Sequence, residues 1–350
     1  MLPRLSQTAP PVVDLAVLRE WMDGRGLGSG PLEAVERLAG GTQNILLRFS
    51  RDGTGYVLRR PPPHLRDSSN EAMRREARVL GALAGTDVPH PRLIAACDDE
   101  SVLGAAFYLM EPVDGFNPTS GLPEPHAGSA PIQHRMGLAL VEGIARLGAL
   151  DHQALGLSDF GRPEGFLERQ VARWRRQLES YQALPGWTGV AGLPGVERVA
   201  AWLESNRPVD FSPGIQHGDY HLANVMYRHD GPELAAIIDW ELATIGDPLI
   251  DLGWLLATWP DPAHGMTSSV SPWIGFPSAD ELVAHYRQRS ARDLSSIGWY
   301  RVLACYKLGI LLEGTHARAC AGKAPRETGD LLHGRAVRLF ERALRWLDAD

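Results

Sequence analysis

The chain has 350 residues, 44% hydrophobic and 22% charged, ordinary for a globular protein and long enough for two units with separate cores. A net charge of −7 and a pI of about 6.0 speak against nucleic acid or an anionic membrane as partner. Cys97, Cys305 and Cys320 show no CxxC pairing and form no disulfide framework, and the N-terminal stretch lacks the apolar segment of a signal peptide, so a cytoplasmic location is expected. Of 35 cationic residues only Lys307 and Lys323 are lysine; arginine is the default cation of this chain.

In chain order, Val13, Leu15, Leu18, Trp21 and Met22 predict a helix over 11–26. Two apolar runs, Asn44–Phe49 and Tyr56–Leu58, flank SRDGTG and read as a hairpin. A polar DSSN at 67–70 is placed to cap the helix EAMRREARVLGALAG. VPHPRLIAACDD and AAFYLMEPVDGF supply two further strands. Helical patterns then dominate at 131–153, 164–184, 195–205, 280–291, 296–321 and 328–347, and only the stretch around 215–241 has strand character. The Gly- and Pro-rich segments 117–131 and 258–278 read as loops. Strands first and helices later predict an α+β fold, with a first lobe over 1–112 and a larger, mainly helical one over 113–350.

The chemistry concentrates in IQHGDYHLANVMYRHDGPELAAIIDWE, residues 215–241. The apolar runs Val225–Tyr227 and Leu234–Ile238 flank RHDGPE and read as a second hairpin, with Asn224 and Asp239 about equally far from its turn. Opposed residues on paired strands lie ~4.5–5.5 Å apart at Cα, so an amide oxygen and a carboxylate converge on one small volume. Such a donor pair suits a hard cation, and Mg²⁺ would keep positions for substrate phosphates. Asp219 sits on the loop entering this hairpin, where it could accept a proton from an attacking hydroxyl. Two other readings use the same residues: turn and cap polar groups with no further role, or a zinc site for hydrolysis built on His217, Asp219 and His221.

A second feature lies upstream. Met73, Ala77, Leu80 and Ala84 form an apolar helical stripe, and Glu76 falls on the same face. A carboxylate turned to a core needs a cation, and Arg59, ending the strand YVLR, is the nearest, with Arg60 the alternative.

HGDYHLAN at 217–224, IIDWE at 237–241 and GDPLIDLGWLL at 246–256 together resemble the aminoglycoside phosphotransferase and choline kinase-like family, which shares the protein-kinase fold, over about residues 35–320. The resemblance implies a two-lobe fold and an ATP- and Mg²⁺-dependent kinase acting on a hydroxyl of a small molecule. It implies Asp219 as catalytic base, Asn224 and Asp239 as Mg²⁺ ligands, and Glu241 as a further group near the metal. Arg59 and Glu76 would form the ion pair that positions a phosphate. GGTQN, with Gly40, Gly41, Thr42 and Asn44, would be the loop over the phosphates. Met110 would back the adenine pocket, Glu111 and Val113 would offer it backbone hydrogen bonds, and Asp251 would brace the catalytic loop.

Two departures from the family pattern stand out. The strand cation is usually lysine and here is arginine, which pairs carboxylates and phosphates with a different geometry. That substitution motivates an alternative, a nucleotide-binding but catalytically silent regulator. The DFG and APE signatures of protein kinases are absent, which disfavours a protein substrate. The wording YVLRRPP and REARVL is similar to a branch that includes kinase-like domains fused to acyl-CoA dehydrogenases, which implies a hydroxyacyl thioester or related hydroxylated metabolite rather than an antibiotic as acceptor.

Overall fold

The computed structural model describes residues 13–38, 44–65, 68–266 and 268–349. These group into two compact units, one reaching to Asp114 and taking in Ile238–Glu241, the other comprising Gly115–Ile237 and the chain from Leu242 onward. The fold is α+β, with an antiparallel sheet in the first unit and mostly helices in the second.

In the first unit the sheet has five antiparallel strands in the order β1-β2-β3-β5-β4: β1 Glu33–Arg37, β2 Ile45–Arg51, β3 Thr54–Arg60, β4 Leu93–Cys97 and β5 Phe107–Met110. The β2–β3 hairpin turns on Asp52 (φ 51°) and Gly53 (φ 74°), with Arg51 opposite Thr54. Two left-handed residues in a two-residue loop match the right-handed twist of the strands, and Asp-Gly supplies them at low steric cost. β1 escapes the sequence pattern because EAVER is exposed along its whole length and pairs only at the sheet edge, so it carries no apolar alternation. α1, Leu15–Asp23, lays Leu18, Trp21 and Met22 on one face, where they join Ile45, Leu47, Phe49, Tyr56, Leu58 and Phe107 in a single core.

α2, Ser69–Leu83, packs on β4 and β5 and buries Met73, Glu76, Ala77 and Leu80. Ser68 of the DSSN segment occupies the N-cap position of α2, without a side-chain capping hydrogen bond. A short helix, α3 at Glu100–Leu103, precedes β5 and is capped by Asp99. β3 lies between β2 and β5 and is buried continuously from Tyr56 to Arg60, so both arginines enter the interior.

The second unit carries α4 Ala130–Ala149, α5 Glu168–Ser180, α6 Val196–Ser205, β6 Gly214–Gln216, β7 Val225–Tyr227, β8 Leu234–Ile237, β9 Thr244–Gly246, α7 Leu249–Thr258, α8 Ala279–Arg289, α9 Ile297–Cys320 and α10 Arg326–Ala349. The second hairpin forms as β7–β8, with Val225 opposite Ile237 and a bulge near Tyr227. β6 and β9 pair antiparallel as a separate ribbon. α7 and α10 both pack on the long α9. No described helix is long and apolar enough to cross a membrane.

Candidate active site

Within the second unit, β6 delivers the chain into the loop 217–224. Gly218 takes a φ of 89°, and a Cβ there would stand 2.6 Å from the Leu242 carbonyl oxygen, so this turn admits only glycine. The buried carboxylate of Asp251, in the first turn of α7, accepts the backbone N–H of His217 (2.6 Å) and of Gly218 (2.8 Å). The bracing expected of Asp251 is therefore present as geometry.

Asp219 follows at once, and the Asn224 side-chain amide donates to its Oδ2 and to its backbone carbonyl, each at 2.9 Å. With the NH₂ group so committed, the Asn224 amide oxygen is the donor left for a hard cation. Burial would raise the Asp219 pKa, but His221, at 3.3 Å, together with His217 and Lys307, holds it down at about 2. The carboxylate is thus an ionised acceptor throughout the neutral range.

The two histidines are tied locally. The Asp219 N–H donates to His217 Nδ1 and the Ala223 N–H to His221 Nδ1, both at 3.3 Å. Each ring spends a nitrogen on the backbone of its own loop, and His217, Asp219 and His221 do not gather as a metal-binding trio among the described residues. The zinc-hydrolase alternative finds no support in this geometry.

Sequence reasoning missed Lys307. From α9 its ammonium donates to the Gly218 carbonyl (3.0 Å) and lies 4.3 Å from the Trp254 ring centre. Burial lowers its pKa to about 8 against the pull of Asp219 and Asp251. One signal was available: one of only two lysines in the chain stands in the apolar run LACYKLGILL.

A cavity of about 550 Å³ opens on this loop, again wholly within the second unit. Asp219 and His221 line one part of it, Trp254, Trp259, Leu308 and Leu312 give apolar wall, and Arg335 and Arg338 add positive charge. Among the described residues, Asp219 is the one carboxylate on its lining.

Within the first unit, Arg59 and Glu76 meet as expected, with Nε 2.9 Å from Oε2 and Nη2 donating to Oε1 at 3.3 Å. The Tyr108 hydroxyl also donates to Glu76 Oε2 at 2.9 Å. Arg60 is not the partner; it donates to the Pro61 carbonyl. Arg59 Nη2 further donates to Asp239 Oδ1 at 2.6 Å, and Glu241 lies 4.0 Å away. Burial alone would weaken the guanidinium as a base, but Glu76 and Asp239 hold its pKa well above the ordinary arginine value. Asp239 itself sits at φ 66°, a left-handed conformation unusual outside glycine. Such local strain persists only where the surroundings hold it, here at least the Arg59 contact.

At the end of β5, Met110 is paired between Val57 and Leu93. Glu111 has its N–H committed to the Arg92 carbonyl (2.9 Å) and its side chain to the Arg92 guanidinium. Only its carbonyl is left to offer, beside Val113. Asn44 stands immediately before β2. Gly40, Gly41 and Thr42 lie outside the described residues.

Comparison with known proteins bears on the family and the fold. The chain is 30% identical over 339 residues to human acyl-CoA dehydrogenase family member 11, covering 94% of this chain and 42% of that protein. It is 29% identical over 297 residues to the Arabidopsis thaliana probable acyl-CoA dehydrogenase IBR3, covering 78% of this chain and 35% of that protein. The chain thus spans less than half the length of these curated relatives. A Ralstonia eutropha JMP134 crystal structure, assigned as an aminoglycoside phosphotransferase, superposes with a TM-score of 0.78 at 29% identity, over 95% of this chain and 99% of that one. The aminoglycoside phosphotransferase APH(4)-Ia, in ternary complex with AMP-PNP and hygromycin B, shares the fold alone, at a TM-score of 0.61 and 15% identity over 93% and 98% of the two chains. The family model described as the phosphotransferase enzyme family matches residues 34–289, most of the chain, and the protein belongs to that family.

Proposed function

We propose that the protein is a kinase that uses ATP and Mg²⁺ to phosphorylate a hydroxyl of a small, largely apolar molecule bearing a negative charge. The observation that carries this reading is the cavity that opens on the ionised Asp219 and is walled by tryptophan and leucine, with arginines in place of acids. A polycationic aminoglycoside would call for carboxylates there, whereas a hydroxyacyl thioester or a similar hydroxylated anion is matched in both polarity and charge.

Asp219 then accepts the proton of the acceptor hydroxyl as that oxygen bonds to the γ-phosphorus and the bond to the β-phosphate oxygen breaks, releasing ADP. Asn224 keeps the carboxylate aimed, and Asp251 and Lys307 hold the loop from behind. As oxygen donors of the kind Mg²⁺ prefers, the Asn224 amide and the Asp239 carboxylate would each serve as a ligand, and the ion would neutralise phosphate charge. Arg59, positioned by Glu76 and Tyr108, supplies the cation for a nucleotide phosphate. Gly40, Gly41, Thr42 and Asn44 would cover the phosphates. Met110, the Glu111 carbonyl and Val113 would meet the base.

The direct test is ADP release from MgATP across a panel of hydroxylated acyl thioesters, hydroxy acids and aminoglycosides. Stimulation by an anionic, apolar alcohol is expected. Nucleotide binding without turnover on any acceptor would favour the silent-regulator alternative instead.

A further inference from the structure

Far from the loop 217–224 in sequence, α9 and α10 bring a second set of metal-ligating side chains together. Glu313 and His316 stand three residues apart on α9, and Asp330 and His333 stand three apart on α10. One ligand atom each from Glu313, His316 and His333 lies within 4.8 Å of the other two. Glu313 is fully buried and His316 is 9% exposed. We infer that Glu313, His316 and His333 form a binding site for a first-row divalent ion such as Zn²⁺, clipping α10 to α9.

Three observations support this beyond proximity. First, His316 Nδ1 is a buried nitrogen without a hydrogen bond, and the nearest acceptor, Asp330 Oδ1, stands 3.5 Å away. A buried imidazole nitrogen left unbonded is costly, and coordination satisfies it. Second, the carboxylate is oriented from outside the trio: Trp187 Nε1 donates to Glu313 Oε1 at 2.7 Å, which leaves Oε2 toward His333 Nδ1 at 2.7 Å. Ligating carboxylates are characteristically held this way. Third, the ligands sit on closely packed backbone: beside His316, Gly329 of α10 lies so near α9 that a Cβ there would stand 2.4 Å from Ala319 Cβ, which holds the two helices in fixed register.

Two imidazoles and one carboxylate select a borderline ion over Mg²⁺ or Ca²⁺, and this is a donor set zinc takes with a fourth position to fill. Asp330 is paired with Arg326 and is not one of the three gathered ligands, which leaves the fourth position to water. On binding, the ion replaces the proton shared by Glu313 Oε2 and His333 Nδ1, and that proton passes to solvent. The site is distinct from His217, Asp219 and His221 and does not depend on the kinase reading. It does mean that finding zinc in the protein would not by itself argue for a zinc hydrolase.

The test is calorimetric titration of the chelator-treated full chain with ZnCl₂, checked by metal analysis after dialysis. The expected result is one ion per chain, bound at least tenfold more weakly by His316→Ala, His333→Ala and Glu313→Gln, and with unchanged affinity in His221→Ala. Glu313→Gln preserves side-chain volume and an acceptor for Trp187, so it remains informative if a histidine variant fails to fold. Absence of stoichiometric binding would overturn the inference, as would binding that Glu313→Gln leaves unchanged or His221→Ala abolishes.

Discussion

Lys307 and Asp219 show how a single side chain sets the behaviour of this site. The Asp219 pKa of about 2 lies below its ordinary value, so its contribution to stability is complete above that value and is lost as the pH falls through about 2. Lys307 shifts in the same direction for a different reason: burial lowers its pKa to about 8, below that of a free lysine, so between those two values the folded protein binds fewer protons than the unfolded chain and stability rises with pH. Its charge beside Gly218 and Asp219 fades above about pH 8. The pH–rate profile is therefore expected to show an alkaline limb near pH 8, which Lys307→Arg moves upward. A limb that stays in place in that variant would remove Lys307 from the account. At this scale the polar residues were legible because HGDYHLAN and IIDWE cluster them in one short span. Lys307 was not legible, because it reaches the loop from a helix almost ninety residues later, inside a run that reads as core.

Among the elements, the argument turns on β3, β5 and α2, which enclose one carboxylate. The helical stripe placed Glu76 toward the interior, and the strand ending YVLR offered its cation, so this ion pair was readable from periodicity and charge need. Tyr108 was not, since FYLM reads as a plain apolar strand and nothing in it says which face meets Glu76. Breaking a buried pair costs about 3–5 kcal/mol where the partner is left uncompensated; Arg59 keeps Asp239, so Glu76→Ala is expected at the lower end, about 3 kcal/mol. Tyr108→Phe is expected to cost about 1–2 kcal/mol, because Arg59 still pairs the carboxylate. Urea titrations of both variants check the order. Equal losses would mean that Tyr108 rather than Arg59 is the principal partner. β1 marks the limit of pattern reading: a charged edge strand is specified by the partner it pairs with, β2, and not by its own sequence.

For the whole molecule, the order of elements announced strands first and helices later, and the family match over residues 34–289 gives that order its meaning. The grouping of Ile238–Glu241 with the first unit was hidden, because an apolar run ending at Ile238 carries no mark of the left-handed conformation that the chain takes at Asp239. The acceptor was equally hidden. The cavity proposed for it is assembled from the loop 217–224, α7, residues 259–266 and 268–269, α9 and α10, whose lining residues are scattered over more than a hundred positions. The relatives are longer proteins, of which this chain matches less than half.

The central claim is that Asp219 takes the proton of an alcohol while ATP gives up its terminal phosphate. The most direct measurement is acceptor-stimulated ADP release with MgATP, comparing the unaltered protein with Asp219→Asn. That variant keeps the size of the side chain and removes only the base. A loss of about a hundredfold or more in kcat, with nucleotide affinity little changed, is expected for a general base. Turnover of the same acceptor at an undiminished rate would contradict the account.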